Sequence, residues 1–437
     1  MAEIYPFHGA HYNQSQVKDL AKVICPPYDI ITPQIQYELY QRSESNFVRL
    51  EFGRELIGDK ESDNKYTRAL ITLGKWLEQG IIEVDKTPAI YIHDHHFEYK
   101  GSRYRRRSFT CVVKLEEWSK MVVRPHEGTL SRPRSDRLSL LYTLKANTSP
   151  VLALYEDQSG NIATLFEPHT RGEPVLSGYI ENGDEHHLWS ITEQEVIDQI
   201  CTQLANQPLY IADGHHRYES ALAYQREKHS VASSAPGQAS FDFVMMTLVS
   251  FDDPGLIILP AHRLVHGLSK LTLDSLIAGL STFFTLAEVP LDKANISRQV
   301  DDLLSENTGE VKLIMYGLEE EQLLVLKLSD TSTVRPMIPY FHSELYEKLD
   351  VSIVDHVILE ELLGLTHDAA GISIAYSNDA LEAVNSVLEK EYQLAFIVNP
   401  VRPGLIKAIA DSGDRMPRKS TYFYPKMPAG LVFYRFE

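Results

Sequence analysis

The chain has 437 residues, 43% of them hydrophobic, with 60 acidic against 42 basic side chains and a formal net charge of −18. That length exceeds one ordinary domain and can bury large cores, while the acidic balance weighs against DNA and anionic membranes as partners. The cysteines, Cys25, Cys111 and Cys201, are scattered and odd in number. A disulfide framework is therefore not expected, and with neither a signal-peptide pattern nor a membrane-length apolar run the expectation is a cytoplasmic protein.

In chain order, Pro26-Pro27-Tyr28-Asp29 makes a rigid turn, and Thr32-Pro33 opens a helix carrying Tyr37 and Tyr40. Residues 45–51 are expected as a strand, followed by a helix through Tyr66, Leu70, Leu73 and Trp76 that Gly80 ends. Residues 89–99 and 109–115 alternate as a hairpin pair around Lys100-Gly101-Ser102. His93 and His95 share one face there. No Cys or carboxylate nearby in sequence completes a metal site, so His93, His95 and His96 are expected at the surface. Arg103, Arg105, Arg106 and Arg107 form the one basic run and are expected on an exposed hairpin turn.

Beyond residue 120, Pro125-His126-Glu127-Gly128-Thr129 leads to a polar stretch with Arg132, Arg134, Asp136 and Arg137, then a helical stripe of Leu138, Leu141 and Leu144. A strand over 151–155 and a helix through Val196, Ile200 and Leu204 precede a short apolar run, 208–212. That run ends in Asp213-Gly214-His215-His216-Arg217, after which Tyr218, Ala221 and Leu222 mark one face of a helix. Residues 229–240 read as a mobile loop, and 241–251 and 255–259 as strands. From about Gly267, strands at 311–316, 323–328, 371–376 and 393–398 alternate with helices at 351–363 and 380–390. This alternation predicts a mixed α/β chain of α+β class, divided into segments 1–120, 121–266 and 267–437.

Three motifs carry candidate chemistry. The Asp213–Arg217 turn offers free helix N–H groups, a positive dipole end and a fixed cation, which suits phosphate. Glu127 follows His126 in a Gly/Thr loop near arginines and suits a general base toward a hydroxyl; position 130 is Leu, so the zinc-protease pattern fails. Lys419-Ser420-Thr421, between Pro417 and Pro425, suits phosphate or carboxylate recognition. No Walker-type or dinucleotide-type glycine loop is present.

The Asp213-Gly214-His215-His216-Arg217 turn resembles the signature of the ParB/sulfiredoxin-like superfamily, with His215 where sulfiredoxin has its cysteine, which argues against sulfinic-acid reduction. This version is similar to that of the free L-serine kinases. So are Pro125-His126-Glu127 upstream, Pro417-Arg418-Lys419-Ser420-Thr421 near the C-terminus, with one residue inserted, and the strand–helix–strand over 374–397 between them. The order of all four agrees, although Tyr422-Phe423 replaces basic residues of those kinases. The N-terminal segment instead resembles the start of a large bacterial family classed as a domain of unknown function.

The resemblance implies a ParB/sulfiredoxin-like nucleotide-binding core over 121–266, a substrate segment over 267–437, and transfer of a phosphoryl group from ATP or ADP to a small hydroxyl compound, L-serine first. Asp213, Gly214, His215, His216 and Arg217 would hold the nucleotide phosphates, with Asp213 as a Mg²⁺ ligand and the histidines facing the transferring group. Glu127 would be the base and His126 its orienting partner, while Lys419, Ser420, Thr421 and Arg137 would bind the acceptor. The alternatives are a nucleotide-binding regulator without catalysis and a kinase of another small alcohol.

Overall fold

Period-two alternation over residues 90–114 builds the two longest strands among the described residues, Ile90–Tyr99 and Ser102–Lys114, paired antiparallel. Lys100 and Gly101 turn the chain between them with φ of 47° and 73°, the left-handed pair that matches strand twist in a two-residue hairpin. The computed structural model that gives this architecture describes residues 2–128, 131–180, 183–231, 239–305, 310–365 and 373–436. The chain divides into two units, one of Met1–Pro125, Thr129–Ile257 and Pro425–Glu437, the other of His126–Gly128 and Ile258–Tyr424. Sheets and helices in both make the fold α+β.

In the first unit the hairpin lies within a nine-stranded mixed sheet. From the hairpin strand Ser102–Lys114 the order runs through Phe243–Ser250 and Val151–Tyr155 to Leu209–Asp213 and Val123–Arg124. One face buries Ile90, Ile92, Phe109 and Cys111 against Ile197, Ile200 and Leu204 of the helix Gln194–Leu204 and Tyr218, Ala221 and Leu222 of the helix His215–Val231. The other face packs Tyr91, Val112 and Leu188 with Phe7, Phe47, Leu50 and Phe433. In the second unit an antiparallel six-stranded sheet carries the helices Ile296–Ser305 and Ala380–Leu388.

Four expectations are corrected. Residues 48–51 form a helical turn instead of a strand, because Asn46 Oδ1 accepts from Val48 N–H at 3.0 Å while its amide donates to the Lys22 carbonyl at 2.9 Å. This is the local competition by which Asn favours turns over strands. The basic run lies on a strand, with Arg103 and Arg105 exposed and Arg106 buried. His93 and His95 are also buried, each at 1% exposure. The helix expected at 351–363 is an α-helical turn, Asp350–Ile353, that widens into a π-helix, Val354–Leu362; Val354, Asp355, Val357, Ile358 and Leu359 are all buried on it. Thr129, residues 232–238 of the expected loop and residues 371–372 of the expected strand lie outside the described residues, and residues 229–231, expected in that loop, complete the helix His215–Val231. Among the described residues no helix is long and apolar enough to cross a membrane.

The buried histidines are linked. His93 Nε2 and His186 Nδ1 lie 2.9 Å apart, and His95 Nε2 lies 2.9 Å from Asp184 Oδ2. Burial holds all three imidazoles well below the ordinary histidine range, and the charge of Arg106 pushes the same way. The unfolded chain therefore binds these protons first, so the stabilisation is present above about pH 6.5 and is lost as pH falls, each group costing up to about 1.4 kcal/mol per pH unit. Denaturant unfolding of the first unit is expected to show stability falling steeply between about pH 7 and pH 5, with the slope reduced by about a third in His93→Gln. A flat profile would contradict neutral burial.

Candidate functional site

The first unit places the Asp213 turn where the sheet strand breaks register. Tyr210 and Ile211 pair with Leu154 and Ala153, but Asp213 pairs with Leu152, so Ala212 is bulged out. A bulge of this kind re-aims the side chain that follows it. Gly214 then adopts φ of +94°, and its carbonyl accepts from Tyr218 N–H at 3.0 Å to start the helix. Tyr218 anchors that helix: its hydroxyl donates to the Glu116 carbonyl at 2.7 Å and accepts from Glu116 N–H at 3.0 Å.

Charged groups converge on the turn. Lys426 Nζ lies 2.7 Å from Asp213 Oδ2 and 3.7 Å from Asp29 Oδ2, and Arg217 Nη2 lies 3.6 Å from Asp213 Oδ1. Burial pushes the Asp213 carboxyl up, but the charges of Lys426 and Arg217 more than offset it and hold the group well below the usual carboxylate range. Arg217 Nη1 donates to the Pro150 carbonyl, while its buried Nε makes no hydrogen bond. The helix start, Arg217 and Lys426 make a neighbourhood with positive character although the protein as a whole is acidic. Lys426 was missed by the sequence reading. Its only local signal is its place after Pro425, five residues beyond Thr421.

Asp213, assigned to Mg²⁺ from the sequence, is engaged by two basic side chains. Its carboxylate is ion-paired on both oxygens, and among the described residues no three or more His, Cys, Asp or Glu side chains converge as a metal-ligand set. Magnesium is normally held by one or two carboxylates together with substrate phosphates and water rather than by an all-protein cage. His215 is buried and His216 partly buried at the first turn of the helix.

Tyr28 and Asp29 join the same neighbourhood. The Arg137 guanidinium lies 4.1 Å over the Tyr28 ring, and burial pushes the Tyr28 hydroxyl up to about 12 against the opposing charges of Arg217 and Arg137. Arg137, expected at the acceptor, is buried: Nη1 lies 3.3 Å from Glu51 Oε1 and Nη2 2.7 Å from Asp136 Oδ2. Glu51, itself fully buried, also accepts from Thr148 and Ser149 hydroxyls at 2.5 and 2.9 Å. Arg137 is thus committed to carboxylates and an aromatic ring.

The second unit assembles the other two motifs around one carboxylate oxygen. Glu127 Oε1 accepts from Ser420 N–H at 3.0 Å, Thr421 N–H at 3.2 Å and the Thr421 hydroxyl at 3.2 Å. Oε2 has no hydrogen-bond partner among the described residues. His126 Nε2 lies 2.9 Å from Thr421 Oγ1; since the Thr421 proton is given to Glu127, the imidazole Nε2–H is the donor there. Main-chain pairing reinforces this, with Met416 N–H donating to the His126 carbonyl at 2.7 Å. Ser420 is fully buried and its hydroxyl closes the turn onto the Pro417 carbonyl at 2.6 Å, whereas Lys419 is exposed.

These features define an α+β protein with a charged strand–turn–helix in one unit and, in the other, a glutamate clamped through one carboxylate oxygen. The chain belongs to the family described as "Protein of unknown function (DUF1015)", whose model matches residues 4–352. Among solved structures it is similar to a conserved hypothetical protein from Pyrococcus furiosus, 13% identical over 74% of this chain and 95% of that one, with a TM-score of 0.35. It is also similar to a free serine kinase in complex with AMP, 14% identical over 74% of this chain and 92% of that one, with a TM-score of 0.36. A C-terminally truncated SbnI from Staphylococcus aureus is 10% identical over 74% of this chain and 85% of its own, with a TM-score of 0.35. No curated protein matches the sequence.

Gly214→Ala tests the turn. A side chain at φ of +94° is strained, and its Cβ would lie 2.8 Å from Arg217 Nε. The expected outcome is a loss of about 1–3 kcal/mol in denaturant unfolding of the first unit, with no effect on the second. Wild-type stability in this variant would show that the turn does not have this conformation.

Proposed function

We propose that this protein is a phosphotransferase that moves a phosphoryl group from ATP or ADP to the hydroxyl of a small metabolite, with free L-serine as the first acceptor to test. The observation that carries the reading from anion binding to group transfer is the clamped glutamate. A base must be fixed and still have a lone pair available. Glu127 has both properties.

In this reading the Asp213–Arg217 turn takes the donor nucleotide. The phosphates lie on the Gly214 turn and the start of the helix, with Arg217 and Lys426 as counter-charges. His215 and His216 donate toward the transferring group as its charge spreads over the equatorial oxygens. Glu127 is the base toward the acceptor hydroxyl. The acceptor oxygen attacks the terminal phosphorus, the bond from that phosphorus to the nucleotide's bridging oxygen breaks, and the hydroxyl proton passes to Glu127 Oε2. The shortened nucleotide leaves with the bonding electrons. His126 and Thr421 keep Oε1 turned away so that Oε2 faces the acceptor, and Lys419 offers an exposed cation to an acceptor carboxylate. Little covalent chemistry falls to the protein, so positioning supplies most of the rate.

Purified full-length protein is incubated with L-serine and with a panel of other amino acids and hydroxy acids, with ATP or ADP, in the presence and absence of magnesium, and phosphorylated product is measured. Acceptor-dependent product is expected, and Glu127→Gln is expected to lower turnover by about 10²–10⁴-fold while nucleotide binding is retained. Turnover unchanged in Glu127→Gln would remove the base. Nucleotide binding with no product across the panel would replace the phosphotransferase with a nucleotide-binding regulator.

A further inference from the structure

In the second unit, Arg263 is the fully buried residue through which the sheet reaches the Lys419 loop. It lies on the strand His262–His266, opposite Phe396 on one neighbouring strand and Tyr376 on the other. Its Nε and Nη2 pair with Asp355 Oδ1 and Oδ2 at 3.0 and 3.2 Å, both residues being at most 1% exposed. The remaining nitrogen, Nη1, donates to two carbonyls, those of Ala261 and, at 3.3 Å, Lys419. Lys419 is one of the few non-glycine residues with positive φ, 57°, and its carbonyl belongs to the peptide unit whose N–H, that of Ser420, donates to Glu127.

A buried arginine whose bidentate fork is filled by one carboxylate and whose last nitrogen reaches a strained backbone carbonyl is doing more than balancing charge. Asp355 sits on the π-helical segment Val354–Leu362, a rare helix form frequently found at functional sites. We infer that Asp355 and Arg263 are positioning residues for the base: the π-helix fixes Asp355, Asp355 orients Arg263, Arg263 holds the Lys419 carbonyl, and the peptide so held aims the Ser420 and Thr421 N–H groups at Glu127 Oε1. This rests on Glu127 being the base of the proposed reaction, but the geometry is measurable without it.

Arg263→Lys separates positioning from plain charge balance, because an ammonium still neutralises Asp355 but cannot also span to the Lys419 carbonyl. Hydrogen exchange on the full chain is expected to show the 418–421 amides opening about tenfold faster in this variant, while exchange of the strands 312–316 and 394–397 stays at the wild-type rate. In the phosphoryl-transfer assay, kcat is expected to fall about 10–100-fold with the nucleotide KM unchanged and the pH profile of kcat displaced. Asp355→Glu, which keeps the charge but displaces the guanidinium, provides a second route if Arg263→Lys does not fold and is expected to give the same pattern. Unchanged 418–421 exchange in a folded variant would overturn the inference. Accelerated exchange in a protein without acceptor-dependent turnover would uphold the positioning geometry and reject the phosphotransferase.

Discussion

The ion pair between Asp213 and Lys426 joins two points 213 residues apart in sequence, and the local order of the Asp213 turn depends on it. Asp213 stands at the end of a sheet strand, after a bulge and before a left-handed glycine, and a carboxylate there without a counter-charge would be costly to bury. Lys426 supplies that charge, and with Arg217 it balances the carboxylates of Asp213 and Asp29. The C-terminal segment that delivers Lys426 continues into the strand Phe433–Arg435, which pairs with Gly9–Tyr12 and Ala146–Asn147. The same pairing therefore closes the N-terminal segment onto the sheet and brings Asp29 within 3.7 Å of the lysine. Removal of Asp213 would leave a lysine and an arginine facing each other without their shared acid.

The second unit solves a different problem with the same economy of groups. A loop with a left-handed lysine and a buried serine must satisfy its own main chain. Glu127 accepts two of its N–H groups and the Thr421 hydroxyl, Pro417 accepts from Ser420, and Arg263 covers the Lys419 carbonyl. Each buried polar group of the loop has a partner, as a rigid site requires.

Much of this was legible in the sequence where the signal is local. The strand–turn–helix that begins at Leu209, the buried face of Tyr218, Ala221 and Leu222, and the helix start at Thr32-Pro33 follow from apolar spacing and capping chemistry. The two-residue turn at Lys100-Gly101 does as well, although the second hairpin strand begins at Ser102 and takes in the whole basic run. Tertiary pairing was not legible. Nothing near His93 or His95 in sequence announces Asp184 or His186, so burial of that strand could not be read from alternation alone. Arg137 has the composition of a substrate ligand and is instead consumed by Glu51, Asp136 and Tyr28. Lys426 and Arg263 were passed over because their partners lie more than 90 residues away in sequence. The π-helix escaped because its apolar run fits an α-helix equally well until the near-complete burial of 354–359 is seen.

The central claim is that the turn from Asp213 to Arg217 takes the phosphates of a nucleotide, and calorimetric titration of the full-length protein with adenosine, AMP, ADP and ATP tests it most directly. If the helix start, Arg217 and Lys426 are phosphate ligands, affinity rises with the number of phosphates, each charge-assisted contact contributing about 1.5–3 kcal/mol, and Lys426→Ala flattens that rise. No binding of any of the four, or equal affinity for adenosine and ATP, would contradict it.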